Sequence, residues 1–400
     1  MRYFDHVATN PLNPEVFNAM LPYFKEEFGN PLSVYGLGQS AKQAIEDARV
    51  KVAALVNCKA QEITFTSSGA ESNNMAIRGI AMARRKEGNH IIVSRVEHHS
   101  VLNSARALEK EDFVVTYLVP DKFGMVSPAD IKKAINKDTI LISITHASSE
   151  IGTIEPIAEI VKTAKEHNVA VHADGVATTG NIPIDVMQLG VDAYSLSAHQ
   201  FYGPKGAGAL YLKRGQRILP LIYGGIQENG RRAGTENVPA IVGMGKAAEM
   251  AKAELPTRMA HVKKLRDKLI DGLTKIEKVH LTGHPDNRLP GHASFVVEYI
   301  EGEGMLLMLE ANDIYSASGS ACTSKALKAS PILLSMGYSS SVTHGSIVFS
   351  LGIDNTEEDI DQVLEHMPKI IKRLREMSPF AKEGWGAIDD LEESKEGNHV

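Results

Sequence analysis

AYSLSAHQFYGPKGAGALYL, residues 193–212, carries more information than any other stretch of this chain. Its first apolar run, 193–196, reads as a strand; the chain then turns through Ser197, His199 and Gln200, crosses a Gly/Pro loop at 203–208 and returns as a second apolar run, 209–212. A Ser-x-His pair at a strand end suits anion binding or acid–base work.

Outward from this hairpin, short apolar runs alternate with helical patterns. The runs 62–68, 90–96, 112–119, 139–147 and 169–175 read as strands, with apolar residues on both faces and helices between them. That pattern implies an α/β fold with a mainly parallel sheet covered on both sides. Ligand sites in such sheets lie at the carboxyl ends of the strands, and His98, Ser149, Asp174 and His199 all fall at or just after such ends. Ser67, Ser68 and Gly69 open a helix over 70–85, a turn that offers free N–H groups and a favourable dipole to an anion. Upstream, 14–28 reads as a helix interrupted at Pro22, and 39–56 as another.

From about residue 256 the texture changes: a charged helix over 258–276 leads into a smaller α/β unit that ends with a helix over 356–377. The expected division is an N-terminal segment 1–14 packing near the active site, a large domain 15–255, a small domain 256–380 and an acidic tail 381–400 that reads as disordered. Four hundred residues suit two domains, and a formal charge of −6 with a pI near 6.2 argues against a general nucleic-acid binder. No apolar run is long enough to span a bilayer, so a membrane role is not expected. Two cysteines give no disulfide framework, which suits a reducing compartment and a cytoplasmic location. Cys58, at a helix-to-strand turn, reads as a small buried filler. Cys322, in SASGSACTSKAL, sits in a Ser/Gly/Ala-rich stretch expected to be mobile and exposed, and is a candidate for thiol chemistry.

The motif S-A-H-x-F-Y-G-P-K-G-x-G-A-L-Y resembles the coenzyme-lysine motif of the cysteine desulfurases of the NifS/IscS group, within the class V aminotransferases, and the likeness runs from YFDHVATNP to about residue 379. It implies a pyridoxal phosphate (PLP) dependent transferase fold of type I, a homodimer, and PLP as cofactor. By position, Gly69 and Ala70 in FTSSGAESNN match the phosphate loop, His98 in VEHHS the stacking ring, and Asp174 in HADG the carboxylate paired with the pyridine nitrogen. Asp174 could equally be answered by an arginine or by backbone amides. Ser197 and His199 match phosphate and active-site contacts, Thr235 in RRAGTEN the phosphate ligand given by the other subunit, and Cys322 the sulfur-accepting nucleophile.

The departures cluster on the chemistry. The family's lysine is Gln200, whose amide lone pair is delocalised, so it cannot condense with the coenzyme's aldehyde; Lys205 matches a second lysine that the family also carries. Ala177 replaces a glutamine, Ser149 an asparagine, Ala70 a threonine, and Val348 in HGSIVFSLG the arginine that forks onto the substrate carboxylate. The Cys322 loop and the Gly-rich segment 224–232 are kept. The expected function is therefore a NifS/IscS-like role in iron–sulfur cluster assembly or sulfur transfer through Cys322, as persulfide acceptor or as a candidate iron–sulfur ligand shared with a scaffold protein, with the lysine–PLP chemistry lost or impaired. Two rivals stand beside it: an active desulfurase with Gln200 an introduced change, and a purely structural partner of the assembly machinery.

Overall fold

A computed structural model describes residues 1–319 and 329–378; Cys322 and the tail, and the expectations attached to them, lie outside the described residues. Seven strands form the main sheet in the order Ile63–Thr66, Gly208–Leu212, Ala193–Ser197, Ala170–Asp174, Thr139–Thr145, His90–Ser94, Val114–Leu118. The five from Ala193–Ser197 onward run parallel, and Gly208–Leu212 is antiparallel to both of its neighbours. The 193–212 stretch is thus a hairpin within the sheet, as its sequence predicts.

Period-two alternation sends successive side chains to opposite faces. Ile91 and Val93 pack with Met75, Ile77, Ile80 and Leu108 on one face, while Ile92, Ile142 and Ile144 pack with Ile45, Val52 and Ile160 on the other. Helices Gly69–Ala83 and His99–Glu109 supply the first set, and helices Gly36–Leu55 and Ile157–Lys165 the second. With both faces covered, what reaches solvent is the loops at the strand ends.

A smaller unit holds an antiparallel sheet, Val279–Leu281, His292–Val297 and Ser346–Ser350, packed on helices Gly302–Glu310 and Glu357–Met377. The first residues of the chain join it: Arg2–Tyr3 pairs with Ile314–Tyr315, and Phe4 is fully buried in this second core. The sequence predicts a unit change near Leu255 and a helix from 258. The helix starts earlier than expected: one helix, Val238–Leu273, runs past this position with Pro256 inside it. Proline removes one backbone donor, but Ala248 and Ala251 pack into the large core and Val262 and Leu265 into the small one, so both halves are held by burial. The interruption at Pro22 does occur, separating helices Pro14–Met20 and Pro22–Lys25. Among the described residues no helix is long and apolar enough to cross a membrane.

One buried ion pair fastens the Gly-rich segment to this frame. Arg49 donates through Nη1 and Nη2 to Glu228 at 2.7 and 2.8 Å, Glu228 also accepts from the Phe65 N–H at 2.8 Å, and Arg49 donates to the Ile63 carbonyl at 3.0 Å. These bonds hold Glu228 and Asn229 at positive φ, 47° and 57°. Removing Glu228 leaves the Arg49 guanidinium with the more exposed Glu46 carboxylate at 3.2 Å and frees the buried Phe65 N–H, so Glu228→Ala is expected to destabilise the protein by about 1–3 kcal/mol in urea unfolding. A loss under about 1 kcal/mol would show that the pair does not hold the segment.

Candidate active site

A cavity of about 510 Å³ opens where the parallel strands end. After His90–Ser94 come Arg95, Glu97 and His98; after Thr139–Thr145, Ser149 and Glu150; after Ala170–Asp174, Val176 and Ala177; after Ala193–Ser197, His199 and Gln200. Asp5 and Val7 of the N-terminal segment, and Ala317 and Val348 of the small unit, complete the wall.

One end of the cavity is shaped for an anion. Helix Gly69–Ala83 begins there, capped by Ser68 Oγ accepting from the Glu71 N–H at 3.1 Å. A side chain at 69 would put its Cβ 2.4 Å from Val176 Cγ2, so only glycine lets this turn pass. The hydroxyl of Ser197 and Nδ1 of His199 are buried with no hydrogen-bond partner among the described residues. Burial, with Lys205 beside it, pulls the His199 imidazole below its ordinary pKa. Two unanswered polar groups beside a helix N-terminus fit a phosphate-sized anion.

Next to this end lies Asp174, buried at the end of its strand. Its Oδ2 accepts from Asn73 Nδ2 at 2.7 Å and its Oδ1 from the Val176 N–H at 3.0 Å, so amides rather than an arginine answer it. Burial still pushes its carboxyl above the usual range, with the nearby His98 imidazole opposing the shift. The Ser100 N–H donates to His98 Nδ1 at 3.1 Å and Ser100 Oγ contacts the same nitrogen at 2.7 Å. This fixes Nδ1 as the acceptor and holds the ring at the cavity edge.

Gln200 is 4% exposed, and its side chain is tied to the N-terminal segment: Nε2 donates to the Val7 carbonyl at 2.8 Å. Its main-chain carbonyl accepts from Asn10 Nδ2 at 3.0 Å. Ala177 offers only a methyl, and Val348, 4% exposed, is locked in place by paired backbone bonds of 2.7 and 3.1 Å to Ala317. Ser149 lends its carbonyl to His292 Nε2 at 2.8 Å. Lys205 is exposed and does not line the cavity; Thr235 is exposed and does not line the cavity of its own chain. Cys58 packs half-buried against the large core with its thiol pushed up to about 12 by burial, which leaves it unreactive. A separate cleft of about 390 Å³ carries Arg84 and Lys213, but these already pair with Glu87 and Asp192.

Four lining residues were not singled out from the sequence. Burial raises Asp5 to about 6, Glu97 to about 8 and Glu150 to about 7. Glu97 accepts from Ser94 Oγ at 2.5 Å and from the Thr145 N–H at 2.9 Å, while its Oε2 has no partner among the described residues. Glu150 accepts from Ser330 Oγ. Arg95 is the fourth. Each lies in or beside a strand-end motif, the one signal that could have found them.

The fold and the cavity at its strand ends are those of a class V aminotransferase, and residues 2–363 match the family Aminotransferase class-V. The chain belongs to that family and, within it, to the NifS/IscS group of cysteine desulfurases. It is 53% identical over 378 residues to a protein named cysteine desulfurase IscS from Methanosarcina thermophila, covering 94% of each chain. A protein of the same name from Dictyoglomus turgidum is 50% identical over 382 residues, 95% of this chain and 97% of the relative. Among solved structures, one titled NifS-like protein superposes with a TM-score of 0.88 at 37% identity, covering 94% of this chain and 100% of that one. The architecture is accordingly PLP-dependent transferase fold type I.

The linkage sign for Glu97 is definite. From about pH 4.5 to about 8 the folded carboxyl keeps its proton while the unfolded one loses it, so the folded state binds more protons and stability falls as pH rises through this window. Glu97→Gln is expected to remove up to about 1.4 kcal/mol per pH unit of that fall in urea unfolding across the window. An unchanged slope would show that Glu97 is ionised at neutral pH.

Proposed function

We propose that this chain is a NifS/IscS-like protein of sulfur transfer or iron–sulfur cluster assembly that works through Cys322 and has lost the lysine-dependent half of the desulfurase reaction. The observation that carries this reading is the buried Gln200 amide donating to the Val7 carbonyl at the position of the coenzyme lysine. An amide cannot condense with an aldehyde, and this one is already committed to the backbone.

The residues around it divide in their fit to PLP. Ser197, His199 and the Gly69–Ala70 helix start suit its phosphate, Asp174 suits a protonated ring nitrogen, and His98 stands where a ring could stack. The covalent and phenol-contacting positions do not fit, because Gln200 supplies no amine and the Ala177 side chain supplies no hydrogen bond. PLP bound here would be held without a covalent tether, and no step of the proposed activity passes through it.

What remains is thiolate chemistry. Cys322 as an anion attacks the outer sulfur of a donor persulfide; that S–S bond breaks, a new one forms on Cys322, and the donor leaves as a thiolate. The same thiolate is a soft ligand for iron, and since one cysteine cannot complete a four-thiolate site, a scaffold protein would supply the others. We assign the working form as a homodimer in the cytoplasm, supported by large apolar side chains left exposed on one protomer, among them Phe24, Phe28, Val34, Tyr223 and Ile226.

Alanine release from L-cysteine with added PLP is the test of the lost half-reaction: near-absent turnover is expected, and turnover like that of ordinary desulfurases would end the reading. Gln200→Lys should gain covalent PLP yet turn over L-cysteine poorly, because Val348 lacks the carboxylate fork. Cys322→Ser should abolish sulfur or cluster delivery, whereas a purely structural partner would keep it.

A further inference from the structure

With a valine at 348, the side chain there offers no donor to a negative charge. Arg95 lines the same cavity from a different element. Arg95 directly follows strand His90–Ser94, and its main-chain N–H donates to the Leu118 carbonyl at 2.9 Å, which fixes the backbone. Its side chain is exposed and lacks a hydrogen bond or ion pair among the described residues. Among the described residues lining the cavity it is the one lysine or arginine.

Four carboxyl groups share that cavity: Asp5, Glu97, Glu150 and Asp174. None pairs with Arg95, and burial is the leading cause that lifts each of them. An arginine that lines a largely apolar cavity without an ion pair among the described residues, together with carboxyls from other elements of the same cavity, complements a small zwitterion. The ligand's carboxylate would meet the cation, its ammonium would meet the acids, and Val7, Ala177, Ala317 and Val348 would take a short side chain. A dianion is disfavoured here by the acids, and the anion-shaped end beside Ser197 and His199 already provides for a phosphate.

We propose that Arg95 is a ligand-binding residue that receives the carboxylate of a small α-amino acid in this cavity. The inference goes beyond the function proposed above, in which the cavity no longer turns over an amino acid, and concerns binding alone. It does not depend on what Cys322 does, so the alanine-release and Cys322→Ser experiments can fail or succeed separately from it.

Isothermal titration calorimetry of L-alanine into the purified full-length protein tests it, L-alanine avoiding side reactions with the thiol. Wild-type protein should bind L-alanine, Arg95→Ala should weaken binding about tenfold or more, as expected for one lost charge-assisted bond, and Arg95→Lys should fall between. Cysteamine, which has the thiol and amine without the carboxylate, should bind wild type and Arg95→Ala alike. Equal L-alanine affinity in wild type and Arg95→Ala, or no binding to wild type, overturns the proposal. Because Arg95 is exposed, its substitution should leave the thermal unfolding midpoint unchanged, and a matched midpoint confirms that the comparison is between folded proteins.

Discussion

Burial on both faces of the parallel strands is the constraint from which the rest follows. Strand Thr139–Thr145 is buried along its whole length, as are Ala170–Asp174 and Ala193–Ser197. Such strands can carry polar groups with access to solvent only at their ends, so Glu97, Ser149, Asp174 and His199 gather at one rim of the sheet. The antiparallel return of Gly208–Leu212 continues the sheet beyond the Ser197–His199 turn and keeps that turn at the same rim. The site is therefore a consequence of packing, which the substitutions within it leave untouched.

That independence lets the rim hold a glutamine at position 200 without cost to the fold. A long side chain whose polar end is buried must find a partner or lose about 1–3 kcal/mol to desolvation. Gln200 finds one in the Val7 carbonyl, in a segment whose Phe4 is seated in the small core and whose Asn10 reaches back to the His199 and Gln200 carbonyls. The amide thereby ties the N-terminal segment to the rim of the large sheet. Val348 is likewise at ease, since paired backbone bonds to Ala317 do not depend on its side chain.

The strand runs, the parallel sheet and the hairpin at 193–212 were legible because each rests on local periodicity. The helix Val238–Leu273 was not, because Pro256 reads locally as a stop and only the two cores on which the helix lies override it. Asp174 was recognisable as a carboxylate in need of a partner, but the identity of that partner, Asn73, lies 101 residues away in sequence and could not be read. Glu97, Glu150 and Arg95 were passed over for a related reason. An acid or an arginine beside a strand is ordinary in sequence, and what distinguishes these three is burial for the acids and, for the arginine, the absence of an ion pair among the described residues, both set by tertiary structure.

The charges of the cavity bring these strands of argument together. In a site that holds its substrate by a fixed guanidinium, carboxyls nearby would be drawn down toward full ionisation. Here burial leads and, among the described residues, no paired cation opposes it, so the acids sit with raised pKa values of about 6 to 8 at Asp5, Glu150 and Glu97. Near neutral pH the cavity is thus close to balanced between neutral and charged acids, and a ligand bearing an ammonium group would shift that balance toward the ionised form while releasing protons. The proton inventory of the cavity is thus set by the same burial that gathers these acids at one rim of the sheet.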